Sequence, residues 1–264
     1  MITIKSRREL EKMARAGACV AAVHEAVREA AHPGVTLTEL DRVGADVITA
    51  HGCTPSFLGY RGYPANLCLS PNDVIVHGIP DDGRLEEGDI LSVDAGAIFE
   101  GFHGDAAFTM AIGEVSDEAA KLIEVTEEAM WAGVRQVRKG NRLGDIGAAV
   151  HAVGSAHGYG IVEEYVGHGI GRAMHEEPQV PNYGEPGKGM KLRVGMALCI
   201  EPMFNLGARH TNVDPDGWTV RTADGSLSAH FEQTVAITPD GPMVFTASRE
   251  PVPVETVAGS PAAR

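Results

Sequence analysis

Two stretches of the chain repeat one another. HPGVTLTELDRVGADVITAHG (32–52) and RKGNRLGDIGAAVHAVGSAHG (138–158) align Gly34 with Gly140, Leu37 with Leu143 and Leu40 with Ile146, and both end in Ala-His-Gly, all at an offset of 106. Further on, LEEGDILSVDAGA (85–97) overlays LRVGMALCIEPMF (192–204) at an offset of 107, matching Gly88 with Gly195 and Asp94 with Glu201. Gly, Ala and Leu are common, so chance matching competes with duplication. Two matches in the same order at nearly one offset favour a chain made of two similar halves.

Each half opens with the same elements. Ser6 and Glu9 form a capping box ahead of Leu10, Met13, Gly17, Val20 and Val27, a helical spacing that stops near Gly34. Ser116 leads in the same way into Leu122, Ala129, Gly133 and Val137, stopping at Gly140. A second helix follows in each half, over about 38–51 and 143–157. Then come β-branched runs broken by Gly, Pro and Asn-Asp turns: NLCLSPNDVIVHGIP, DILSVDAGAIF, MALCIEPMF and SAHFEQTVAITPDG. The fold class is therefore α+β, with helices packed on an antiparallel sheet that both halves build. PVPVETVAGSPAAR, the stretch 251–264, is rich in Pro and small residues and reads as a flexible tail.

Charge and cysteine usage narrow the function. A net charge of −14 disfavours a broad grip on nucleic acid or anionic membrane, which needs surplus Lys and Arg. Cys19, Cys53, Cys68 and Cys199 are spread singly, with no CxxC pair for a disulfide framework or a zinc ribbon. MITIKSRREL contains no apolar export segment, and the expected location is the cytoplasm.

Acids in strands carry the functional signal. In SVDAGAIFEGFHGDAAF (92–108), a hairpin turning at Glu100–Gly101 places Asp94 opposite Ala107 and Asp105 opposite Gly96, so the two aspartates are diagonal neighbours on one face. Their mutual repulsion and burial cost several kcal/mol unless a cation sits between them or one protonates. Glu201 follows the apolar run MALCI and precedes Pro202, while Glu232 lies in HFEQTVAI on the face opposite Phe231, Gln233 and Val235. GHGIGRAMHEEP offers His168 between two glycines and His175 seven residues later. Four carboxylates and an imidazole suit a borderline-hard cation, and two divalent ions would balance their charge. GHGIG lacks the spacing and βαβ setting of a phosphate loop. His103 and His230 are taken as structural, and Trp218, Tyr60 and Tyr63 default to packing roles.

GYRGYPANLCLS, VIVHGIPDD, GDILSVDAGAIFEGFHGDAAFT, GHGIGRAMHEEPQVPNYG, IEPMFN and DGWTVRTADGSLSAHFEQT together resemble the motifs of the type I methionine aminopeptidases, in order from about residue 3 to 248. The resemblance implies the pita-bread fold: a single catalytic domain over 1–250 whose pseudo-twofold halves run about 6–113 and 114–248. It implies two divalent ions (Co, Mn, Fe or Zn) held by Asp94, Asp105, His168, Glu201 and Glu232. In that scheme Asp94 serves one ion, His168 and Glu201 the other, and Asp105 and Glu232 bridge. The implied activity is removal of N-terminal methionine from nascent proteins and peptides with a small second residue, through an activated water at the first peptide bond. Glu201 would also move the proton, His175 would stabilise the oxyanion and His77 would contact the scissile amide. Phe57, Tyr60, Tyr63, Cys68, Met174 and Trp218 would line the methionine pocket. Some members carry Phe where this chain has Met174 and a small residue where it has Phe57, which puts the pocket's shape in question. Nascent N-termini are the implied partners, with contact near the ribosome exit and a monomeric state also expected. Two alternatives stay open: an X-Pro aminopeptidase or prolidase, and a non-catalytic binding module on the same fold.

Overall fold

A computed structural model describes residues 2–257. Helix α1 (Arg7–Ala30) starts where Ser6 and Glu9 exchange hydrogen bonds in the expected capping box, and α2 (Leu37–Ala50) starts at a second such box made by Thr36 and Glu39. In the other half α3 (Asp117–Val134) is capped by Ser116, and α4 (Leu143–His157) ends at Gly158 in a left-handed conformation. α3 stops before Gly140: the backbone turns after Val134, and residues 135–140 form turns instead of a further helical turn.

The strands form antiparallel sheets between these helix pairs. Ile90–Phe99 and Phe102–Ala111 make the hairpin, turning through Glu100 and Gly101, both at positive φ as a tight two-residue turn demands. Its register is the expected one, Asp94 opposite Ala107 and Gly96 opposite Asp105. A six-stranded sheet runs in the order Val252–Pro253, Gly241–Val244, Gln233–Thr238, Ala197–Ile200, Gly167–Gly169, Glu176–Val180. The hairpin joins it through one bridge, where Ala107 N donates to Glu232 O at 3.3 Å and Glu232 N to Ala107 O at 2.8 Å.

α1 lies directly on the hairpin. A Cβ at Gly104 would sit 2.7 Å from Gly17 N, and one at Gly17 would sit 2.2 Å from Phe245 O, so only glycines allow helix, hairpin and the 241–246 segment to approach this closely. The principal core gathers Val20, Val23 and Val27 of α1, Leu91 and Val93 of the hairpin, and Leu198, Ile200 and Val235 of the larger sheet. One core thus serves both helix pairs.

The C-terminal expectation needs correction. Pro251 does not begin a flexible tail: Val252 pairs with Val244 and Pro253 with Met243, and Val254 is buried at 2 % exposure in the main core. Two valines beside an unpaired strand edge outweigh the disorder-prone composition around them. Residues 258–264 of the expected tail lie outside the described residues.

Candidate metal centre

Strand alternation turns Asp94 and Asp105 to the face of the hairpin away from α1. Asp105 is 2 % exposed, and its backbone is clasped by Thr234 of the larger sheet, whose Oγ1 accepts from Asp105 N at 3.1 Å and donates to Asp105 O at 2.7 Å. Glu201 stands just past the end of Ala197–Ile200. Glu232 occupies the bridge between Ser228–His230 and Gln233–Thr238, so the expected continuous strand is broken there, which frees its backbone to pair with Ala107 across the sheets. His168 stands between Gly167 and Gly169 in a short strand whose glycines admit the neighbouring backbone: a Cβ at Gly167 would lie 2.3 Å from Cys199 O.

These five side chains converge. His168 Nε2 is 3.5 Å from Glu201 Oε1 and 3.9 Å from Asp105 Oδ2, and ligand atoms of Asp105, His168, Cys199 and Glu232 all lie within 4.8 Å of one another. Asp94 lines the same cavity as Asp105, His168, Glu201 and Glu232, and the Asp94 and Asp105 carboxyls are close enough for each to shift the other's ionisation.

The electrostatics are severe without a cation. Burial, eased by the neighbouring Asp105 carboxyl, pushes Asp94 up to about 7. Burial followed by the charges of Glu232 and Asp94 drives Asp105 well above the usual carboxylate range. Burial again, with Asp105 and Asp94 adding to it, does the same to Glu201; Glu232 rises through burial and then the charges of Glu201 and Asp94. His168 is depressed to about 3, mainly by burial and then by His175. So the site holds a neutral imidazole among acids that cannot all ionise together.

The donor atoms test whether a metal belongs here. His168 Nδ1 donates to Gly169 O at 2.9 Å, which places the ring's lone pair on Nε2, facing Glu201 and Asp105. Asp94 Oδ1, Asp105 Oδ1, Glu232 Oε1 and His230 Nε2 are buried with no hydrogen-bond partner. Buried polar atoms normally have partners, and orphans clustered in one place fit divalent cations.

His230 belongs to this group, contrary to its expected structural role. Its Nε2 is 4.0 Å from Glu201 Oε2, and it shares a second ligand-like cluster with Glu201 and Glu232. Lying two residues before Glu232 puts it on the same face of an extended chain, a signal the sequence carries. His103 does pack structurally: its Nδ1 meets Ser56 Oγ at 2.9 Å.

Beside the centre opens a cavity of about 370 Å³, lined by all eight residues expected to contact substrate. Phe57, Tyr63, Cys68 and Met174 form one buried cluster, against which Tyr60 and Trp218 pack. Tyr63 is anchored by its hydroxyl, which donates to Leu67 O and Gly78 O, and its ring meets Trp218 edge-on at 5.2 Å. His175 and His77 stand at the wall between hollow and centre: the His175 ring is 4.3 Å from that of His168 and its Nδ1 is 2.9 Å from Tyr60 OH, while His77 packs edge-on against Trp218. His77 has φ of 61°, a strained backbone of the kind found at functional sites, and burial with the charge of His175 lowers its pKa to about 4. Tyr165 and Glu164 complete the rim, unforeseen because nothing in their local spacing marks them.

Known proteins resemble this chain in sequence and fold. The model of metallopeptidase family M24 matches residues 11–239. A methionine aminopeptidase of Clostridium acetobutylicum is 51% identical over 247 residues, 93% of this chain and 99% of the relative. The crystal structure of methionine aminopeptidase from Rickettsia prowazekii superposes with a TM-score of 0.91 at 41% identity, covering 93% of this chain and all of that one, and their common architecture is the pita-bread fold. A prolidase from Pyrococcus furiosus, of which this chain spans 65%, reaches a TM-score of 0.74 at 22% identity, a likeness of fold alone. The chain belongs to metallopeptidase family M24, among its methionine aminopeptidases.

Proposed function

We propose that this protein removes methionine from the N-terminus of peptides and nascent proteins whose second residue is small, using one catalytic domain over residues 1–250. The observation that carries the reading is the cluster of four carboxylates, Asp105 and Glu232 among them fully buried, and His168 beside an aromatic-walled hollow. Asp94, Asp105, His168, Glu201 and Glu232 are the residues that would hold the divalent ions in this scheme. Divalent ions held there would supply Lewis acidity and an activated water at the first peptide bond.

The chain's own residues do the rest. The hollow takes the methionine side chain: its aromatic walls and the Cys68 sulfur suit a polarizable thioether. Glu201, beside the reacting bond, receives and returns the proton. His175 donates to the oxygen on which negative charge develops, and His77 contacts the scissile amide. Mn, Fe, Co and Zn all suit these donors. The same reading implies action in the cytoplasm on chains near the ribosome exit, by a monomer.

The test is methionine release from Met-Ala-Ser by chelator-stripped protein, with Mn or Co restored and Ala-Pro-Ser as control. Release only with metal is the expected result. Cleavage of Ala-Pro-Ser alone would make the protein a prolidase-like enzyme, and silence on both peptides with metal bound would make it a binding module.

A further inference from the structure

A lysine is seldom buried unless something holds its charge. Lys5, just before α1, is 8 % exposed, and its Nζ lies 2.8 Å from Glu176 Oε2, both side chains being under a tenth exposed. Lys5 Nζ also donates to Thr3 Oγ1 at 2.7 Å, and Thr3 donates to the same Glu176 oxygen. The other oxygen, Oε1, accepts from Arg172 N at 2.9 Å and Ala173 N at 3.2 Å. One carboxylate therefore ties residues 3–5 to the loop 171–173, and it belongs to the residue immediately after His175.

The loop is fastened from other sides too. Gly171 O accepts from His103 N at 2.8 Å, and Lys5 N donates to Gly195 O at 2.7 Å. Where the ion pair crosses the loop there is no room for a side chain: a Cβ at Gly171 would lie 2.5 Å from Lys5 Cε and 2.6 Å from Glu176 Oε1. Neither Lys5 nor Glu176 lines the cavity. His175, by contrast, is exposed and is held through its side chain by the Tyr60 hydroxyl. That bond and the ring's contacts with Tyr60 and His168 act on the imidazole itself, while the backbone of residues 171–176 sets where the ring is anchored.

We propose that the buried Lys5–Glu176 pair is the positioning element of His175, holding the 171–176 loop so that the imidazole faces the scissile bond. The inference rests on the role given to His175 above. A buried ion pair is a poor source of net stability compared with apolar packing, whereas removing one partner strands the other's charge. A pair kept in this position therefore points to geometry as its use.

Four proteins test it: wild type, Lys5→Met, Glu176→Gln and the double variant, with Arg249→Met, which removes the exposed Arg249–Glu25 pair, as control. Methionine release, metal content and thermal unfolding are measured on each. Misplacing a catalytic group by about 1 Å costs on the order of 100-fold. The expected result is a fall in kcat of about 10- to 100-fold for Lys5→Met, with KM within about twofold and metal content unchanged. The double variant recovers much of the loss, because the neutral amide that Glu176→Gln introduces still accepts from Arg172 and Ala173 with no charge stranded. Unchanged kcat in both single variants alongside lowered melting temperatures would overturn the proposal and leave the pair purely structural. If Lys5→Met does not fold, Glu176→Gln and the double variant carry the same comparison. If the wild type itself releases no methionine, the functional reading fails separately. The His175 Cε1–H resonance, assigned by its loss in His175→Gln, then decides: it must shift in Lys5→Met and stay in place in Arg249→Met, and no shift overturns the positioning role.

Discussion

Asp105 shows how one residue can be costly for folding and indispensable for chemistry. Without a cation it is a carboxyl forced toward its neutral form by burial, Glu232 and Asp94. Asp105→Asn keeps the shape and removes that conflict, so the metal-free variant should melt at or above the wild-type temperature. Its methionine release should fall further than the roughly 100-fold that loss of a ligand's outer partner brings. Calorimetry and a peptide assay check the two halves together, and an unchanged rate would remove Asp105 from the metal centre. The carboxylates of the hairpin are legible in sequence because period-two alternation and a tight Glu-Gly turn dictate which side chains are diagonal. His230 is legible only in part: its spacing to Glu232 is in the sequence, but a histidine near an acid is ordinary until the strand break at Phe231 is known. The Lys5–Glu176 pair is invisible in sequence, since nothing local links a residue before the first helix to one far along the chain.

At the level of elements, helix starts are the most legible feature. Ser6, Thr36 and Ser116 each accept from the backbone N–H three residues on, a purely local arrangement. Ser6→Ala should cost about 1 kcal/mol in urea unfolding with an unchanged m-value, while a loss of m would mean that α1 frays into the denatured state. Helix ends and the last strand are less legible. α3 stops at Val134 although Val137 beyond it is still buried in the main core, and Val252–Pro253 is recruited by a free strand edge that only the assembled sheet presents.

Across the molecule, the two halves meet at the centre: Asp94 and Asp105 come from the first, His168, Glu201 and Glu232 from the second, stitched by the Ala107–Glu232 bridge. Ions bound there bind the folded state, so adding Mn at about 100 times its dissociation constant should stabilise the stripped protein by about 2.7 kcal/mol. The melting temperature should rise accordingly, and Asp105→Asn should blunt the rise. The amides of Ala107 and Glu232 should slow in hydrogen exchange alongside it, and protection confined to one half would contradict a shared centre.

That bridge also sets a timetable. Its two residues lie far apart along the chain, so a ribosome-bound copy has made Asp94 and Asp105 long before Glu232 exists. Pairing between distant segments forms slowly. Competence therefore waits until Glu232 has been made and paired, and until then the acidic hairpin cannot act on anything.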